Sequence, residues 1–131
     1  PIWKDPRVHY ALNCASVGCP NLQRIAYTGK TVERMLNRAA RDFVNHPRAI
    51  RIDDHGLQIS SIYKWFIKDF GGTSKTLLVH LGKYAAPDLR RRLAGVTKIT
   101  SDSCDWNLND DRARVLSSLG PRKESAAAVV R

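Results

Sequence analysis

Between residues 31 and 46, apolar side chains recur at Val32, Met35, Leu36, Ala39, Ala40, Phe43 and Val44, with arginines on the opposite side. That i, i+3, i+4, i+7 stripe predicts an amphipathic helix, capped by Thr31 and stopped by Pro47. The period then changes. Residues 49–53 and 57–60 alternate around Asp54-His55-Gly56, the pattern of a β-hairpin. Ser60 or Ser61 caps a second predicted helix over 62–70, with Ile62, Trp65, Phe66 and Phe70 inward and Gly71-Gly72 ending it. Thr73-Ser74 opens a third over 75–84, with Leu77, Leu78 and Leu81 inward, and Pro87-Asp88 begins a short arginine-rich helix to residue 94. Residues 96–100 alternate like a strand and 104–109 read as a loop. A short amphipathic piece around Val115, Leu116 and Leu119 ends at Gly120-Pro121.

The start of the chain admits two readings. As a strand, Val8, Tyr10 and Leu12 share one face, and His9, Ala11 and Asn13 the other. As a helix, Asp5 is the N-cap and Pro6 the first helical residue. A Gly-Cys-Pro-Asn turn and a second extended run over 22–27 favour strand–loop–strand, with Cys14 at the first strand's end. Hairpins and helices without βαβ alternation predict an α+β domain: short strands and hairpins packed with three to four helices. Its expected extent is residues 1–120, followed by a flexible tail over 121–131.

Composition narrows the class. A chain of 131 residues can bury a core without metal or disulfide staples, and its apolar and aromatic content is that of a globular protein. No apolar run approaches the roughly 20 residues a membrane helix needs. The formal charge of +10 permits anionic partners, including nucleic acid, anionic lipid or a cell-wall polymer. The arginines are scattered, however, and are not interleaved with aromatics as in a base-stacking platform, so specific nucleic-acid binding is not expected.

Reactive side chains concentrate at the start, in Asp5-Pro6-Arg7-Val8-His9-Tyr10-Ala11-Leu12-Asn13-Cys14-Ala15-Ser16-Val17-Gly18-Cys19-Pro20. The sharpest hypothesis is thiol catalysis, as in a hydrolase or transferase: Cys14 as nucleophile, His9 as its base, and Asn13 or Asp105 (Asp5 being another option) orienting the imidazole. A thiolate needs such a neighbour to lower its pKa from about 8.5. Spacing argues against direct contact. Five residues span roughly 16 Å in a strand and turn about 140° around a helix, so the chain must fold back for His9 to meet Cys14. His80 is a substitute base, on a helix where it can also face solvent.

The alternative is a non-catalytic binding or interaction module with structural cysteines, suited by charge to an anionic polymer; for the cysteines themselves, a structural role is the more common one. Three cysteines leave the pairing open: Cys14 and Cys19 can be a local disulfide, a thiol pair or metal ligands, with Cys104 left over. Zinc on His9, Cys14 and Cys19 would have suitable ligand types but no obvious fourth ligand, so no cofactor is expected. Asp69 is assigned a local role, capping its helix end or pairing with an arginine. His46 and His55 are expected in solvent.

The opening stretch resembles the signature of the domain of unknown function 547 family. Further matches follow in order at Tyr27, Ala39-Ala40-Arg41-Asp42-Phe43, Ile59-Ser60, Tyr63-Lys64-Trp65-Phe66, Asp69-Phe70-Gly71 and Asp105-Trp106-Asn107-Leu108-Asn109. The resemblance covers roughly residues 5 to 110. Cys104 stands where the family usually has an aromatic residue, which makes it a poor candidate for a shared role. The resemblance implies an upstream helical region in a longer protein as a packing partner, and export for bacterial members. It implies no particular reaction.

Overall fold

In the computed structural model, which describes residues 4–110, four α-helices pack around a three-stranded sheet. The architecture is α+β, as the pattern predicts. The strongest periodicity gives the clearest element: α1 spans Val32–Val44 and buries Met35, Leu36, Ala39, Ala40, Phe43 and Val44. Its C-terminal end is held by Asn45. The Asn45 amide donates to the carbonyls of Arg41 and Tyr84, and its side-chain oxygen accepts from the Ala86 backbone. One side chain thereby ties α1 to the α3–α4 junction.

Strands β1 (Ile50–Asp53) and β2 (Gly56–Ser60) form the expected antiparallel hairpin, with Ile50 opposite Ile59 and Asp53 opposite Gly56. Gly56 has φ +119°, and a Cβ there would stand 2.5 Å from Thr100 Cγ2. Thr100 in turn donates its hydroxyl to the Leu57 carbonyl at 2.9 Å. Gly56→Ala is therefore expected to cost about 1 kcal/mol through backbone strain and displacement of Thr100. A chemical-denaturation midpoint unchanged from the parent protein would refute that reading.

Strand β3 (Ile99–Ser103) pairs parallel to β2, from Leu57 opposite Ile99 to Ser60 opposite Ser103. The predicted strand over 96–100 is thus displaced three residues along the chain. After α4 (Pro87–Ala94), the Gly95 and Val96 amides still bond back to Arg92 and Leu93. Val96 packs on the core from that turn before the strand begins. Because parallel strands need a crossover, α2, α3 and α4 all lie between β2 and β3.

The second helix needs the largest correction. It spans only Ser61–Trp65 (α2), and residues 66–72 continue as successive turns closed by bonds such as Phe70 N–H to the Ile67 carbonyl. Gly71 and Gly72 take positive φ, which allows this turn to reverse before α3 (Ser74–Tyr84). The reversal delivers Phe70 to the core and leaves Trp65 and Phe66 exposed, contrary to the inward placement predicted from helical spacing. α3 opens with a reciprocal Thr73–Thr76 capping box and buries Leu77, Leu81 and Tyr84.

The opening segment is a 3-10 helix over Pro6–Tyr10, so the helical reading replaces the favoured strand. The Asp5 carboxylate accepts from Arg7 N–H at 2.9 Å and Pro6 supplies a preset first turn. Residues 22–27 are loop and not a second strand. This short helix aims Tyr10 into the centre of the core, fully buried among Phe43, Tyr63, Phe70 and His80. The amphipathic piece near residues 115–119 and the tail over 121–131 lie outside the described residues.

Candidate functional site

The residues singled out from the sequence fall into two places. Cys14 and Cys19 form a disulfide, with Cα atoms 6.1 Å apart. Cys14 is exposed while Cys19 is buried. Asn13 shapes the loop they close: its amide donates to the Pro20 carbonyl and its oxygen accepts from Ala15 N–H, both at 2.6 Å. Ala15 sits at φ 63°, a left-handed position rarely taken by non-glycine residues. The Asn13 turn and the disulfide hold it there.

Asp105 approaches the same loop through its backbone. Gly18 N–H donates to the Asp105 carbonyl, Val17 N–H to Asn107, and Asn109 N–H to Ala15, each at 2.8–2.9 Å. The Asp105 carboxylate accepts from the Asn107 backbone and amide, which makes it a turn former. Gly18 is required by this seam, since a Cβ there would lie 2.8 Å from both Asp105 N and Cys104 Sγ. The loop over 13–20 and the segment over 104–109 therefore form one unit.

His9 belongs elsewhere. Its Nε2 is 2.8 Å from Asp69 Oδ2, its ring stacks on Phe66 at 4.3 Å, and its side chain is only 9% exposed. It shares no hydrogen bond with Cys14, and Asn13 and Asp105 do not orient it. Asp69, assigned from sequence to a helix end or an arginine, instead anchors this histidine to the turn after α2. Among the described residues, no group of three or more His, Cys, Asp or Glu side chains is placed to hold a metal ion.

His80 also departs from a solvent-facing role. Its Nε2 is 2.8 Å from the Tyr10 hydroxyl, and its ring packs on Tyr10, Phe70 and Tyr84. Burial, helped by the nearby Lys83 charge, pushes its pKa down to about 4. It is a neutral imidazole at pH 7. Sequence carried a signal for this: His80 lies three residues after Leu77 and four before Tyr84, on the inward stripe of α3.

His80 forms part of an open cleft of about 660 Å³ between the opening helix, α1 and α3. Lys4, Arg7, Arg41 and Lys83 line it, against the two carboxylates Asp5 and Glu33. Arg7 engages both carboxylates and Asn37, and its side chain is only 13% exposed. These bonds hold Asp5 below the usual carboxylate range and raise Arg7 further. Among the described residues, no ion pair takes up Lys4, Arg41 or Lys83. Lys83 lies over the Tyr84 ring, 5.4 Å from its centroid. These three cations were missed because they come from three separate elements, and only packing brings them together.

The molecule is thus an α+β domain whose opening segment carries both a disulfide-closed loop and one wall of a cationic cleft. Residues 2–44 match the family described as Protein of unknown function, DUF547. The matched stretch contains the opening signature and all of α1. No curated protein and no solved structure matches the chain. Among the described residues, no helix is long and apolar enough to cross a membrane.

Proposed function

We propose that this domain is a binding module for an anionic ligand, an extended polymer bearing phosphate or carboxylate groups, seated in the cleft between the opening helix, α1 and α3. The observation that carries the reading is the convergence of Lys4, Arg41 and Lys83 on one cleft whose carboxylates are already taken by Arg7. A neutral His80 at the wall adds hydrogen-bonding capacity without adding charge. The thiol-catalysis reading draws less support: Cys14 has its sulfur in a disulfide, and a nucleophile must be a free thiolate. Its intended base is held by Asp69 on another element.

Inorganic polyphosphate is a suitable probe. Binding should weaken as salt screens the exposed cations, and R41E combined with K83E should lower affinity by about tenfold or more, on the order of 1.4 kcal/mol. Arg51→Glu, at an exposed position of β1 outside the cleft, makes the same change of charge as R41E alone and should weaken binding much less than R41E does. Cys14→Ser with Cys19→Ser should leave binding in place in protein that retains its circular dichroism spectrum. Equal weakening by R51E, or no polyphosphate binding at low salt, would reject the cleft as the site.

A further inference from the structure

Two of the three cysteines meet at one hydroxyl, and the third packs against the same loop. Ser16, itself buried, places Oγ 3.2 Å from Cys14 Sγ and 3.3 Å from Cys19 Sγ. Cys104 reaches the same loop from the other side of the seam, its sulfur 2.8 Å from where a Cβ on Gly18 would stand. The backbone bonds from Val17, Gly18 and Asn109 fix that approach. By sequence Cys104 is a leftover; packing returns it to the loop that the disulfide closes.

We propose that Cys14–Cys19 is a thiol-exchange site that accepts a low-molecular-weight monothiol at Cys14 and is resolved by Cys104. Access selects the sulfur: Cys14 is exposed and Cys19 is 5% exposed, so an incoming thiolate meets Cys14. Attack forms an S–S bond between the monothiol and Cys14, breaks the Cys14–Cys19 bond and leaves the electron pair on Cys19. That leaving sulfur is already provided for. It accepts from Cys14 N–H and from the Ser16 hydroxyl, each at 3.3 Å, and hydrogen bonds to a thiolate lower its energy and speed its departure.

In the second step, deprotonated Cys104 attacks Cys14 Sγ of the mixed disulfide and expels the monothiol as its thiolate. The products are a Cys14–Cys104 disulfide, a Cys19 thiol and the regenerated monothiol. The proton lost by Cys104 is balanced by the one gained at Cys19, and no net oxidation or reduction occurs. Burial pushes the Cys104 thiol up, opposed by the Ser16 hydroxyl. Cys104 therefore stays protonated while the original disulfide is closed, consistent with Cys14–Cys19 as the resting pair. None of these residues lines the cationic cleft, so the exchange stands or falls independently of anion binding.

The test uses the full chain, glutathione as the monothiol, an acid quench, alkylation of free thiols and peptide mass mapping. Glutathione should appear on Cys14 and not on Cys19, followed by a Cys14–Cys104 cross-linked peptide. Cys104→Ala should abolish that peptide and raise the glutathionylated Cys14 fraction by about threefold or more, and Ser16→Ala should slow opening roughly fivefold. Opening of the folded parent protein should be at least as fast as in concentrated urea, a comparison that needs no variant. An adduct on Cys19, no Cys14–Cys104 peptide, or opening about tenfold slower in the folded state would overturn the proposal.

Discussion

Tyr10→Ala is expected to cost about 3–5 kcal/mol of folding stability, the range for emptying a large aromatic from a packed core. Tyr10 has no exposed surface and sits among Phe43, Tyr63, Phe70 and His80, with ring centroids 5.7–6.3 Å away. These rings come from α1, α2, the turn after α2, and α3, so one cavity would loosen four separate connections. Against a typical total of about 5–15 kcal/mol, that is a large share. Tyr10→Phe separates packing from polarity. It keeps the ring, deletes the 2.8 Å bond to His80 and should cost about 1 kcal/mol. Urea unfolding at pH 7 checks both, and a loss below about 1.5 kcal/mol for Tyr10→Ala would mean that Tyr10 is not the centre of the core.

Tyr10 also shows where sequence reading reached and where it stopped. The α1 stripe, the Asp54-His55-Gly56 hairpin turn and the Thr73 cap are local signals, and each element formed close to its predicted bounds. The opening segment held two local signals in conflict, an alternation over 8–12 and the Asp5-Pro6 helix start. The second prevailed because the Asp5 carboxylate is bonded to Arg7 and is thereby fixed as a cap. Where tertiary contacts decided, pattern failed. Trp65 and Phe66 satisfy helical spacing, yet the chain leaves the helix at Phe66 so that Phe70 can enter the core and Asp69 can meet His9.

The candidate site divides in the same way. Cys14, His9, Asn13 and Asp105 could all be picked out as unusual, but their partners could not. The local disulfide was one of the pairings left open for the cysteines, and it is the pairing found. Asn13 and Asp105 hold turns, His9 holds Asp69, and Cys104 meets the disulfide loop across a backbone seam that no spacing rule reveals. His46 and His55 are solvent-exposed, as expected from their positions beside Pro47 and in the hairpin turn.

Acid should destabilise this fold through His80 well before most carboxylates titrate. The ordinary histidine pKa of 6.5 falls to about 4 in the folded protein, because burial and Lys83 disfavour the imidazolium. Below pH 6.5 the unfolded chain takes up a proton that the folded chain refuses until about pH 4. Stability from this group is thus full above 6.5, declines between 6.5 and 4, and changes little further below that. Discounting the shift for the partial exposure of the ring leaves a loss of roughly 2 kcal/mol across that interval. Asp5 adds a later loss of the same sign: Arg7 holds its carboxyl below 3.8, so its contribution disappears as pH falls past that value. Urea midpoints at pH 7 and pH 4.5 should therefore differ clearly in the parent protein and much less in His80→Gln, which cannot charge. His46, also depressed by burial and by Arg48, is the natural control. If His46→Gln flattens the pH profile and His80→Gln leaves it unchanged, the acid sensitivity does not arise from the Tyr10–His80 pair.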